Sequence, residues 1–164
     1  MYVTIDIETT GLNRFKDEIT YIGLGLAHNV GEDFYKGYIL NMSKKENVTK
    51  FKLLCEEFKS CKARTVFQNG KFDTLFIESK YGIKLPISDD VMLMGTAYDL
   101  AEEHGLKKMA KKYLGVEDWD ISKSDKLNKK KDSSKTLIPY LKKDLKYTWK
   151  LFCYFYERMS EHQR

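Results

Sequence analysis

The stretch Tyr2-Val3-Thr4-Ile5-Asp6-Ile7-Glu8-Thr9-Thr10-Gly11-Leu12 constrains this chain most. Val3, Ile5 and Ile7 alternate with Thr4, Asp6 and Glu8, a period of two that predicts a β-strand. Residues two apart on a strand share a face, so Asp6 and Glu8 stand about 7 Å apart and point the same way. Two such carboxylates in an otherwise apolar strand are costly to desolvate unless a positive group lies between them. A divalent cation meets that need, and an oxygen-only donor set favours Mg²⁺ or Mn²⁺. The competing reading is a solvent-facing strand with two ordinary surface acids. The strand alone leaves both open.

Length and composition narrow the class. The 164 residues suit one domain with a full core, and 42% hydrophobic content marks a globular chain. A single domain over residues 1–164 is therefore expected. There is no apolar run of membrane-spanning length, and the N-terminus predicts a strand rather than a signal peptide. Cys55, Cys61 and Cys153 show no CxxC spacing, which favours reduced thiols over disulfides or zinc. A cytoplasmic protein, bacterial or phage-encoded, is expected. His28, His104 and His162 are scattered and form no ligand pattern.

The net charge of +5 is unevenly placed. From Leu106 to Lys150 there are fourteen lysines against six acids. A basic half beside an acidic site suits a polyanion whose reacting phosphate is held by metal ions. The alternative is a lysine-rich surface that serves solubility.

Along the chain, strands are predicted over Glu18–Ala27 and Asp33–Leu40, joined by Asn29-Val30-Gly31-Glu32 as a hairpin turn. Apolar spacing predicts a helix within Ser43–Cys61, then a short strand at Arg64–Phe67. Helices are predicted over Lys71–Tyr81, Asp90–Leu100 and Leu106–Leu114. Val116–Ser133 reads as a mobile loop, and Ser134 or Thr136 caps a last helix reaching about Met159. Strands first, then helices alternating with strands, give a mixed α/β domain with a central sheet between helices.

Two further acids stand out. Asp73, in Gln68-Asn69-Gly70-Lys71-Phe72-Asp73, falls in the first helical turn after a buried strand, a site-like place in α/β folds. The commoner explanation for such an acid is its favourable position at a helix N-terminus. Tyr140 and Asp144 are four apart on the last helix and share a face with Leu137, Leu141 and Leu145. An aspartate within a packed face needs a metal or a partner, for which many lysines are available.

Asp-x-Glu on a first strand, Asn-x-x-Phe-Asp at a strand-to-helix junction and Tyr-x-x-x-Asp on a late helix resemble the three motifs of the DEDDy 3′–5′ exonucleases of the ribonuclease H-like superfamily. The chain looks most like the proofreading exonuclease domain of family A DNA polymerases, over Tyr2 to about Tyr156. Pro139, five before Asp144, stands where the DEDDh branch has its histidine.

The resemblance implies the ribonuclease H-like fold, with a central mixed five-stranded sheet flanked by helices. It implies two divalent ions, Mg²⁺ or Mn²⁺, the first held by Asp6, Glu8 and Asp144 and the second by Asp6. Asp73 would act through metal-bound water near the second, and Tyr140 would orient the attacking water. Thr9, Leu12, Asn69 and Phe72 match positions near the substrate, Leu12 and Phe72 as apolar packing around the terminal nucleotide. The single-stranded end would lie along a lysine track that includes Lys107, Lys129, Lys130 and Lys131, where Trp119 is either a stacking group or an anchor for its loop.

The expected activity is hydrolysis of single-stranded DNA from its 3′ end, releasing nucleoside 5′-monophosphates. The enzyme would be free-standing, either proofreading in trans beside a separate polymerase or degrading DNA for other purposes. An RNA exonuclease of the ribonuclease D or short-oligoribonucleotide type shares the same site. An inactive nucleic-acid-binding or polymerase-docking module is the alternative of another class, disfavoured because all four acids are present.

Overall fold

A computed structural model describes residues 1–101, 103–117, 119 and 134–162. Five strands and five helices occur in the described residues, in the order β1 (Tyr2–Thr9), β2 (Ile19–Ala27), β3 (Lys36–Asn41), α1 (Lys45–Ser60), β4 (Arg64–Phe67), α2 (Gly70–Tyr81), β5 (Asp89–Asp90), α3 (Val91–Tyr98), α4 (Leu106–Leu114) and α5 (Ser134–His162). The sheet order is β3-β2-β1-β4-β5, antiparallel across the first three strands and parallel from β1 to β5. This is the mixed five-stranded sheet flanked by helices that the family resemblance implies.

The alternation in β1 sorts its side chains. Val3, Ile5 and Ile7 are buried in a core with Phe51, Leu54 and Phe58 of α1 and with Phe76 and Ile77 of α2. A second core gathers Val91 of α3, Met109 of α4, and Trp149, Phe152 and Phe155 of α5. The polar face of β1 lies under α5, so Asp6 and Glu8 meet a helix rather than open water.

Gly23 sets how near that helix comes. It pairs with Asp6 across the β1–β2 ladder. A Cβ there would lie 2.7 Å from Leu145 Cδ1 and 3.0 Å from Leu141 Cγ. The missing side chain lets the turn of α5 that carries Asp144 settle beside Asp6.

Three local expectations are corrected. The third strand starts at Lys36, not Asp33, and the β2–β3 connection spans residues 28–35 rather than a four-residue turn. The Phe34 ring leaves the strand and lies against the position of Gly25. Asp90 does not begin a helix: Asp89–Asp90 forms β5, and Asp90 is the N-cap of α3. Apart from Val116, Glu117 and Trp119, the loop predicted over Val116–Ser133 lies outside the described residues, as do Lys129, Lys130 and Lys131.

Candidate active site

The acids converge at the C-terminal end of β1. Asp6, Glu8 and Asp144 each offer a carboxylate oxygen, and these oxygens lie within 4.8 Å of one another. The β1–β2 register shifts between Glu8 and Thr9, an irregularity of the kind that re-aims side chains next to active sites. Asp6, Glu8, Thr9, Leu12, Phe72, Leu137, Tyr140 and Asp144 share one cleft of about 320 Å³.

Asp73 arrives from the neighbouring strand. The parallel β1–β4 ladder ends at Thr4 and Val66. Past that point the Ile7 amide donates to Asp73 Oδ1 at 3.1 Å, so the carboxylate replaces the missing strand partner. Asn69 makes the turn into α2, with φ 59° in the left-handed region that asparagine tolerates. Its side chain is exposed and makes no capping hydrogen bond. Asn69 is not among the residues lining the acidic cleft, whereas Thr9, Leu12 and Phe72 are.

Asp90 holds that junction, a role the sequence reading missed. It is buried and accepts from the amides of Asn69 (3.1 Å), Gly70 (2.8 Å) and Met92 (3.0 Å). One carboxylate thus ties the start of α2 to the start of α3 and fixes the turn from which Asp73 projects.

The electrostatics follow from crowding. Burial holds the Asp6 carboxyl well above its ordinary value, and Asp73, Asp144 and Glu8 push it the same way, while Lys107 opposes them. Asp73 is also held high, by burial first and then by Asp90 and Glu8, although its own backbone and the Ile7 amide pull it down. The acids around Asp6 repel one another. Hard oxygen donors within 4.8 Å, held in that state, fit a divalent cation.

Two partners on this site were not legible beforehand. The Trp119 indole Nε1–H donates to Asp144 Oδ1 at 2.6 Å, and its ring packs on Tyr147 with centroids 4.4 Å apart. Of the two roles considered for Trp119, the buried ring matches an anchor. Lys107, expected on a phosphate track, donates instead to the Tyr140 hydroxyl at 2.8 Å, with its ammonium 4.7 Å from the Tyr140 ring centroid.

A β1-centred sheet with clustered acids is the architecture of ribonuclease H-like nucleases, and comparison with known proteins narrows the class. The family pattern of the 3′–5′ exonuclease matches residues 1–160, and the chain belongs to that family. It is a hydrolytic 3′–5′ exonuclease. The fold is similar to Brucella melitensis NrnC with bound Mg²⁺ (21% identity, TM-score 0.69), covering 99% of this chain and 75% of that one. NrnC bound to pGG gives 21% identity and TM-score 0.71 over 99% and 75% of the two chains. The catalytic core of RRP6 from Trypanosoma brucei gives 12% and 0.70, over 99% of this chain and 42% of that one. No curated protein sequence matches the chain. No helix among the described residues is long and apolar enough to cross a membrane.

Proposed function

We propose that this chain removes nucleoside 5′-monophosphates one at a time from the 3′ end of single-stranded DNA, with residues 1–164 acting as one exonuclease domain. The observation that carries the reading is the set of oxygens of Asp6, Glu8 and Asp144 within 4.8 Å, in a cleft shared with Tyr140.

Asp6, Glu8 and Asp144 would hold a divalent ion, Mg²⁺ or Mn²⁺, and Asp6 would also hold a second, near which Asp73 would act through metal-bound water. Bound there, such ions supply positive charge against the charge that develops on the attacking and leaving oxygens of an in-line displacement. The chain's own residues do the positioning. The Ile7 amide occupies Asp73 Oδ1, which fixes that carboxylate in one orientation. Lys107 donates to the Tyr140 oxygen, which turns the hydroxyl proton away from the ammonium. Tyr140 then orients the attacking water without losing its proton, so the high ordinary pKa of a phenol is no obstacle. Leu12 and Phe72 close on the terminal nucleotide from the sides.

A second reading, a nuclease of RNA or of very short oligonucleotides, is favoured by the likeness of fold to NrnC bound to pGG. Matched DNA and RNA oligonucleotides, labelled at the 5′ end and offered in lengths from two residues upward, separate the two. Native protein with Mg²⁺ should shorten DNA stepwise from its 3′ end, while EDTA or Asp6→Ala stops the reaction. Cleavage of RNA alone, or of dinucleotides alone, transfers the proposal to the second reading. Undiminished cleavage in EDTA overturns the metal-dependent mechanism.

A further inference from the structure

The loop between β1 and β2 holds two large apolar side chains out into water. Leu12 is 86% exposed and Phe15 74%. Exposure of this kind forgoes the burial that drives folding, and clustered at a cleft it marks a contact surface.

The loop is built firmly. Thr10 N donates to Glu18 O at 2.9 Å, and Asn13 O accepts from the amides of Lys16 and Asp17 at 3.0 and 2.7 Å. The Asp17 carboxylate accepts from Asn13 N at 2.8 Å and closes over residue 11, where a Cβ would lie 2.5 Å from Asp17 Oδ2. A larger residue at position 11 would have to displace that carboxylate. Two bonds tie the loop to α2: Ser79 Oγ donates to Arg14 O at 3.2 Å, and Lys80 Nζ reaches Glu18 at 2.9 Å. A surface ordered before binding loses little entropy on binding.

Between this loop and α2 lies a hollow of about 490 Å³, lined by Leu12, Arg14, Phe15, Phe72, Leu75 and Phe76 together with Asn13. It shares Leu12 and Phe72 with the acidic cleft. The same two side chains therefore border both spaces. The Arg14 guanidinium sits 4.8 Å from the Phe15 ring centroid, so a fixed cation accompanies the aromatic face.

We infer that this hollow is a stacking site for the second base from the 3′ end of the substrate, with Phe15 as its platform. The inference rests on the nuclease reading above and adds a substrate requirement to it. The occupant is a nucleobase of any identity, because every base offers a π-face, and the continuity of the two spaces places it one residue from the cut. Arg14 supplies charge for the adjoining phosphate.

The test is a two-by-two comparison of KM. Native protein and Phe15→Ala each act on an oligonucleotide that is intact or abasic at the second position from the 3′ end. Either change alone should raise KM about tenfold, as loss of one base–aromatic stack does, and the two together should raise it little further. Phe15→Trp should restore the native KM, and an abasic site at the sixth position should have no effect. Because Phe15 is exposed, its removal leaves the core intact, and circular dichroism verifies this. A Phe15→Ala effect that is absent, or equal on both substrates, overturns the stacking site while leaving the nuclease reading in place. If no intact oligonucleotide is cleaved at all, the nuclease reading fails and the inference with it.

Discussion

Trp119 Nε1 and Asp144 Oδ1 stand 2.6 Å apart, each residue 8% exposed, 25 positions apart in sequence. A carboxylate with one oxygen held by an indole N–H has its remaining oxygen aimed by that bond. Groups that orient a metal-binding side chain in this way commonly contribute about 10–100-fold in metal affinity or activity. Trp119→Phe keeps an aromatic ring against Tyr147 and removes only the donor. Mn²⁺ affinity, measured by titration calorimetry, should fall at least tenfold in this variant. If it is unchanged while the melting temperature drops, Trp119 is an anchor for its segment and nothing more.

The crowding around Asp6 predicts how the metal-free protein responds to pH. The folded-state pKa of Asp6 is raised above its ordinary 3.8 by burial and by three neighbouring acids. An acid raised by folding favours the fold below its unfolded pKa, and that contribution is lost as pH rises through the folded value. Metal-free native protein should therefore lose stability through this group as pH rises above about 4. Asp6→Asn, similar in shape and uncharged, escapes the loss. Its melting temperature at neutral pH should exceed that of the native protein in EDTA, by about 2–4 °C for each kcal/mol relieved. The difference should close near pH 4, where native Asp6 is itself protonated. A native protein more stable than Asp6→Asn throughout that range, without metal, would contradict the raised pKa.

What the sequence discloses here is local. The alternation of Val3, Ile5 and Ile7 with two acids identifies β1 and the face its carboxylates share. β4 and α4 match their predicted limits, Arg64–Phe67 and Leu106–Leu114, because apolar runs and a terminal glycine bound them. A two-residue strand such as β5 carries no periodicity, so Asp90 reads as the start of a helix. Asp33-Phe34-Tyr35 alternates as a strand should, yet the ring of Phe34 is drawn into the core beside Trp149, with centroids 5.8 Å apart. That contact, like Lys107 on Tyr140, joins residues distant in sequence and leaves no mark on either segment.

Asp90 should prove the most structurally sensitive acid outside the proposed metal-binding set. It accepts three backbone N–H bonds from two helix starts. Hydrogen bonds to a charged group contribute about 1.5–3 kcal/mol each, and removing the acceptor strands buried donors. The three act together, so Asp90→Ala should lower stability by about 3–4 kcal/mol rather than by their sum. Asp90→Asn retains an acceptor and should cost about 1 kcal/mol. Urea unfolding measures both. A loss under 1 kcal/mol for Asp90→Ala would mean that water replaces the carboxylate at little cost.

Lys107 and Tyr140 should act as one unit. The ammonium donates to the phenol oxygen at 2.8 Å, an arrangement suited to fixing the hydroxyl. Tyr140→Phe should lower kcat about 10²-fold, the smaller end of what a positioned proton-handling group contributes. Mn²⁺ affinity should stay near the native value, because the phenol binds no metal in this scheme. Lys107→Met, which keeps the aliphatic stem, should lower kcat by about tenfold for loss of one charged hydrogen bond. If Lys107 acts through Tyr140, the double variant should be no slower than Tyr140→Phe alone, a non-additivity expected of groups in one network. Fully additive losses would separate the two residues and return Lys107 to the phosphate track. A steeper fall in KM-dependent rate than in kcat for Lys107→Met would point the same way, since a phosphate contact acts on binding before it acts on the chemical step.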